Sequence, residues 1–293
     1  MAAAGDSGRV QTMRHLQRGI VVVAFLLVAA FVAAEAFASA IIGRDVTGAT
    51  LRIDRQGRAH VSYLAAGRRR FLTAWGAVNA RLPSRTTPQV QFQIRYGEGG
   101  NGVCLPYDGP PLAWLVEACK APDGSYWALQ SWQRLEPNYG GTTGAWELHL
   151  SHWTGPLAEL VVHQNWANRR VRHLFGRLTY LGRGVYGFGS TPHGDPLDGY
   201  GRNVYVDTFD SAYGSGWHRA NGFLTHRRGR TPGDFCYAFY PHGNGSKYRA
   251  TVEGPGVTPD VMWEGNDIGA FKRTVQRRMQ SLERSWGDPR CRV

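Results

Sequence analysis

From Ile41 onward the chain is cut at close intervals by Gly, Pro, Asn and Asp, and between the cuts lie short runs in which apolar and polar residues alternate. With 38 Gly and 15 Pro in 293 residues, few stretches are long enough for a helix to nucleate and propagate. Runs of this length and period read as strands joined by tight turns. Thr50 to Ile53, a turn at Asp54-Arg55-Gln56-Gly57 and His60 to Leu64 predict a first hairpin, with a third strand near Phe71 to Trp75. Val116 to Ala118, a turn at Pro122-Asp123-Gly124 and Tyr126 to Gln130 repeat the theme, but no fixed period follows. Further strands are expected at 89–96, 146–152, 158–164, 172–181, 184–188, 203–209, 235–240 and 248–253. So many strands without alternating helices predict an all-β fold, an antiparallel, jelly-roll-like β-sandwich. A subdomain break, if the chain has one, belongs near Pro137 to Thr143, where Pro, Asn, Gly and Thr cluster.

One segment departs from the strand pattern. From Asp267 to Trp286, Ile268, Phe271, Val275, Met279, Leu282 and Trp286 recur at steps of three and four, while Lys272, Arg273, Arg277, Arg278 and Arg284 lie mostly elsewhere around the wheel. This spacing predicts a C-terminal amphipathic helix, capped by Asn266 or Asp267 and ended by Gly287 and Pro289. A basic amphipathic helix suits an anionic membrane, but docking on a sheet is preferred here because a bond at Cys291 would hold its end to the fold.

The N-terminus carries an address. After Arg9, Arg14 and Arg18 no charge occurs from Gly19 to Ala34, and Val, Ala, Leu and Phe dominate. A basic segment followed by an apolar one is an export signal, so residues 1–40 are expected to be a signal peptide and 41–293 an extracellular or envelope-associated domain. Ala36-Phe37-Ala38 and Ala38-Ser39-Ala40 both offer small residues for cleavage, giving Ser39 or Ile41 as the first mature residue. The alternative is a retained anchor: Gly19 to Ile42 is long enough to cross a bilayer, with Glu35 at some cost near its outer end. Contact with membrane is expected only through this segment.

Charge narrows the partners. The expected domain keeps all but one unit of the chain's net charge of +12, since residues 1–40 hold three arginines against Asp6 and Glu35. Lysine occurs only at Lys120, Lys247 and Lys272, so arginine carries nearly all the positive charge. Guanidinium groups bind carboxylate and phosphate in a planar fork, although a GC-rich genome gives the same bias without selection for binding. Nucleic acid is a poor partner for an exported chain, which leaves glycans and anionic cell-envelope polymers. Cys104, Cys119, Cys236 and Cys291 form an even set without a C-x-x-C pair, so disulfides are expected in place of a zinc ribbon. The preferred pairing is Cys104 with Cys119 and Cys236 with Cys291.

Three groups of residues could carry chemistry. In 146–152 and 158–164, expected to form a hairpin around Thr154-Gly155-Pro156, a symmetric turn sets His149 opposite Val161 and Glu147 opposite His163. Glu147, His149 and His163 would then share a face and could hold a zinc-like metal, although the plainer reading is a solvated or hydrogen-bonded polar face. The Gly-rich loop from Gly187 to Asn203 contains His193, Asp195, Asp198, Tyr200 and Arg202, followed by Asp207 and Asp210. Its carboxylates could hold calcium, or serve only the turns, and a loop of this length often forms a binding edge. Ten Trp complete the picture, with Trp153, Trp166, Tyr200, Tyr213 and Trp217 beside polar or Gly-rich turns. Sugar rings stack their C–H faces on such side chains.

No catalytic or nucleotide-binding fingerprint occurs and no motif requires a cofactor, so calcium and zinc are the only ions these clusters suggest. The expectation therefore leans away from an enzyme. It is a carbohydrate-binding sandwich that uses His193, Asp195, Asp198, Tyr200 and Arg202 together with Tyr213, Trp217, His218 and Asn221. The alternatives are a metal-dependent extracellular hydrolase at Glu147, His149 and His163, and a structural envelope protein that binds anionic polymer.

Overall fold

A computed structural model of the protein describes residues 39–82, 89–133, 146–185, 203–224, 234–238 and 243–286. The leader up to Ala38, the segment Pro137 to Thr143, the loop residues His193 to Arg202 and Cys291 lie outside them. The fold is all-β, in four antiparallel sheets, with one α-helix among the described residues.

The first sheet is the meander β2 (Thr47–Ile53), β3 (Ala59–Ala65), β4 (Arg68–Gly76) and β5 (Phe92–Tyr96), with β1 (Ala40–Arg44) diverted to the second. Register follows the alternation: Leu51 faces Val61, which faces Leu72, and Ile53 faces Ala59, which faces Ala74. All six are buried, whereas Arg52 and Arg69 between them stay exposed. The predicted turn closes because Asp54 Oδ1 accepts the backbone N–H of Gln56 and of Arg58, each at 2.9 Å. Gly57, at φ +77°, supplies the left-handed residue that completes it.

The second sheet has the order β1, β9 (Trp146–Trp153), β8 (Tyr126–Gln133), β7 (Leu115–Lys120), β6 (Leu105–Pro106). It shares a core with the first through Trp127, Leu129, Leu148 and Leu150. Cys104 and Cys119 are joined by a disulfide, with 15 residues of separation and Cα atoms 4.9 Å apart. Cys119 is fully buried in that core, so the bond ties the Pro- and Gly-rich excursion before β7 to the sandwich.

A second pair of sheets follows. β11 (Val171–Tyr180) is flanked by β10 (Glu159–Ala167) on one side and by β12 (Arg183–Gly184) and β15 (Asp234–Ala238) on the other. The fourth sheet runs β14 (Gly214–Leu224), β13 (Asn203–Ser211), β16 (Lys247–Val252), β17 (Val261–Asn266). Leu174, Leu178 and Phe235 meet Val204, Val206, Tyr248, Ala250 and Val252 in a separate core. The change from one core to the other falls between Trp153 and Ala158. The chain there crosses between sandwiches, so β9 pairs with β1 and β8 and never turns back onto β10. The hairpin expected at Thr154-Gly155-Pro156 is therefore absent. Alternation reveals which side chains share a face but not which strand lies alongside.

The two sandwiches are locked by the segment 253–260, buried along its whole length. It lies against the outer face of the second sheet, the face bearing Glu147, His149 and Gln130. Asp260 is the centre of the lock. Its carboxylate accepts the Ser39 hydroxyl at 2.7 Å, the Trp132 indole N–H at 2.7 Å and the Gly254 amide at 3.0 Å. Its backbone N–H and C=O are both satisfied by the side-chain amide of Gln130, each at 2.9 Å. Gly254 is required here, because a Cβ would meet the carbonyl oxygen of Pro259 at 2.1 Å.

The helix α1 (Arg273–Trp286) begins later than predicted. Asp267, expected as its cap, instead forms an ion pair with Arg172 and accepts the N–H of Gly269, whose φ of +72° ends any helical path there. The apolar stripe does dock on a sheet, at β10: Trp286 meets Phe175 and His163, and Phe271, just before the helix, meets Trp166. Polar residues go deepest. Gln276 receives the Trp166 N–H at 3.0 Å and donates to the Trp166 C=O at 2.8 Å.

Candidate functional site

His149, expected to ligate a metal, is fully buried under the 253–260 segment, with Nδ1 3.2 Å from Asp260 and 3.1 Å from the Ser39 hydroxyl. Glu147, 1 % exposed, is paired with Arg44 at 3.0 Å. His163 lies in another sheet, opposite Phe175 and against Trp286, where burial, assisted by Arg278, holds its imidazole below the usual histidine range. The trio proposed for zinc is thus divided between two sandwiches, because its hairpin does not form. Ser39, His149 and Asp260 do converge, yet all three are sealed from solvent, which makes them structural. Among the described residues the one cluster with metal-ligand spacing is Cys104, Glu117 and Cys119, and its two sulfurs are consumed by the disulfide.

A large cavity of about 810 Å³ lies beside the first sheet. Its charges are spent locally: Arg58 on Asp54 at 2.7 Å, Arg95 on Glu98 at 3.2 Å, and His60 between Asp54 at 3.0 Å and Thr73 at 2.9 Å. Asp54, Arg58 and His60 close the first hairpin and tie it to Thr73 on β4, while Arg95 and Glu98 pair at the end of β5.

A smaller cavity, about 380 Å³, has a different character and spans the two sandwiches. From the second sheet come Trp132 and Gln133 at the end of β8, Trp146 at the start of β9, and Trp114 just before β7. From the fourth come Asp207 on β13, Trp217 and Arg219 on β14, and Arg249 on β16. The ladders account for the convergence. Asp207 lies opposite Arg219 on one side and Arg249 on the other, so one carboxylate sits between two guanidinium groups. It pairs with Arg219 and, at 3.0 Å, with Arg249. The Arg249 guanidinium is sandwiched between indole rings, 4.3 Å from the Trp114 centroid and 4.1 Å from that of Trp217. Arg219 lies 4.9 Å over Tyr205 and donates to the Gln133 carbonyl at 2.6 Å. Burial pulls the Arg249 pKa below its ordinary value, opposed by Asp207. Trp146, 48 % exposed, forms an open lip. A cavity of this size with aromatic walls and a few fixed polar groups has the form of a small-ligand site.

Of the residues expected to bind, Trp217 is in this cavity. His218 alternates away from it and contacts the Ser215 carbonyl at 3.0 Å, Tyr213 packs against the second core, and Asn221 pairs with Val206 in the ladder. His193, Asp195, Asp198, Tyr200 and Arg202 lie outside the described residues. Asp207, considered for calcium, is occupied by arginines, and Asp210 accepts the Gly216 N–H at 2.7 Å in the β13–β14 turn. Sequence reasoning missed Trp114, Trp132, Trp146, Arg219 and Arg249, which come from distant segments. The available signal was the unusual surplus of Trp together with arginines on strands where Asp207 also falls. Comparison with protein families, curated proteins and solved structures gives no match for this chain.

Proposed function

We propose that this is an exported carbohydrate-binding protein whose ligand occupies the cavity between its two sandwiches. The observation that carries the reading is the convergence of Trp114, Trp132, Trp146 and Trp217 on one opening beside the Arg219, Asp207 and Arg249 cluster. Trp146, half open, offers a broad apolar face to the C–H side of a sugar, while Trp114 and Trp217 hold Arg249 between them, and guanidinium groups donate to sugar oxygens. The Cys104–Cys119 disulfide and the basic, apolar leader support a site of action outside the cytoplasm, where glycans of the envelope or surroundings are at hand. Trp146 at the lip is the residue to probe, because it lies half open at the end of its strand. Titrating soluble neutral and acidic oligosaccharides should change tryptophan fluorescence saturably. Trp146→Ala should weaken that binding about tenfold or more, as loss of a stacking aromatic does, while Val161→Ala, on exposed β10 surface, leaves it unchanged. A broad oligosaccharide panel without saturable response, or equal affinities for wild type and Trp146→Ala, rules the site out.

A further inference from the structure

We infer that the ligand of this cavity carries a carboxylate, making it an acidic glycan of the uronate class; the inference rests on the carbohydrate reading. Among the described residues three charged side chains line the cavity, Arg219, Arg249 and Asp207, an excess of one positive charge. Asp207 is already shared by both arginines, so its acceptor capacity is committed inside the protein.

The donors are not all committed. Arg249 directs Nε and one terminal nitrogen, Nη2, to Asp207 Oδ2, at 3.2 and 3.0 Å. Its other terminal nitrogen, Nη1, has no partner among the described residues. The Trp114 indole N–H is buried and likewise without an acceptor among them. Trp114 and Arg249 both line the cavity, and both side chains can only donate. A neutral sugar hydroxyl would satisfy one such donor with an ordinary hydrogen bond. A carboxylate accepts from several and also answers the excess charge, which makes the contact charge-assisted. The indole rings on either side of Arg249 hold its plane fixed, so little side-chain freedom is lost when an anion arrives.

The test uses the full chain and four probes followed by tryptophan fluorescence or calorimetry: tetragalacturonate, its fully methyl-esterified form, neutral tetragalactose and sulfated tetragalactose. Esterification removes the charge and leaves the rings in place. The free acid should bind at least about tenfold tighter than its ester, the range expected for one charge-assisted bond. In Arg249→Lys, which keeps the charge but loses the planar, stacked fork, the ratio of acid to ester affinity should fall toward one. If that variant fails to fold, the comparison of acid with ester on the wild-type protein still decides. Equal affinity for acid, ester and neutral sugar overturns the carboxylate inference and leaves carbohydrate binding standing. No response to these probes, together with none to the wider oligosaccharide panel, removes both. Tight binding of a sulfated tetragalactose with none of the uronate would also overturn it, assigning the cavity to a different anion.

Discussion

His152 and His173 show burial outweighing the local contacts that favour a charged imidazole. His152 is 4 % exposed, stacked on Trp127 with ring centroids 3.8 Å apart, and contacts the Ala77 carbonyl at 2.9 Å and the Ser125 hydroxyl at 2.8 Å. Desolvation pushes its pKa down to about 4, and the same cause brings His173, beside Asn165, to about 4. In the unfolded chain both return to about 6.5, so between pH 6.5 and 4 the unfolded state binds more protons. Stability is therefore fully present above pH 6.5 and is lost as pH falls toward 4, by up to about 3 kcal/mol for each imidazole. Asp123, held down by its bond from Ser125, and Asp108, held down by Lys120, both titrate below that window, while His163, also held down by burial, acts in the same direction as the two rings. Urea midpoints measured from pH 7.5 to 4.5 should fall steadily below pH 6.5. A flat profile would show that these rings are charged in the fold or are reached by water.

The elements differ in how openly they announce their partners. Leu51, Ile53, Val61 and Leu72 alternate so cleanly, around an Asp-Gly type of turn, that strands, register and inward face are all legible in the residues themselves. β9 alternates equally well, yet both of its faces are buried, since Glu147 and His149 are covered by a segment more than a hundred residues away. Local sequence holds no record of such a cover. The same limit hid the cavity between the sandwiches, whose indole rings come from segments joined only in three dimensions. The helix illustrates a subtler case. Its apolar stripe was legible, but its anchor is Gln276, which pairs with both backbone groups of Trp166 on β10, the end strand of its sheet among the described residues. Gln276→Ala would strand a buried N–H and a buried C=O, a loss of about 1 to 3 kcal/mol apiece before relaxation. Amide exchange at Trp166 should accelerate and the urea midpoint should drop. Unchanged protection at Trp166 would mean that the helix is held by its aromatic contacts alone.

At the scale of the whole molecule, two sandwiches with separate cores are joined by a polar lock, with Trp132 against Tyr205 beside it. Asp260 ends the loop between β16 and β17 of the second sandwich, yet it gathers Ser39, Gln130 and Trp132 from the first, with His149 alongside. The cavity lined by Arg219 and Arg249 is built across the same junction, so its shape depends on the lock holding the fourth sheet against the second. Buried networks of this kind are costly to leave half-made, because every donor deprived of its acceptor stays dry. Asp260→Ala removes the acceptor for the Ser39 hydroxyl, the Trp132 indole and the Gly254 amide at once, and should cost about 3 to 5 kcal/mol, as loss of one partner from a buried charged cluster does. Two domains melt together only while their coupling exceeds the difference in their own stabilities. The wild-type protein should therefore give one calorimetric transition and Asp260→Ala two, with the tryptophan response to sugar lost at the lower of them. Two resolved transitions in the wild type would show that the lock positions the sandwiches without coupling their unfolding.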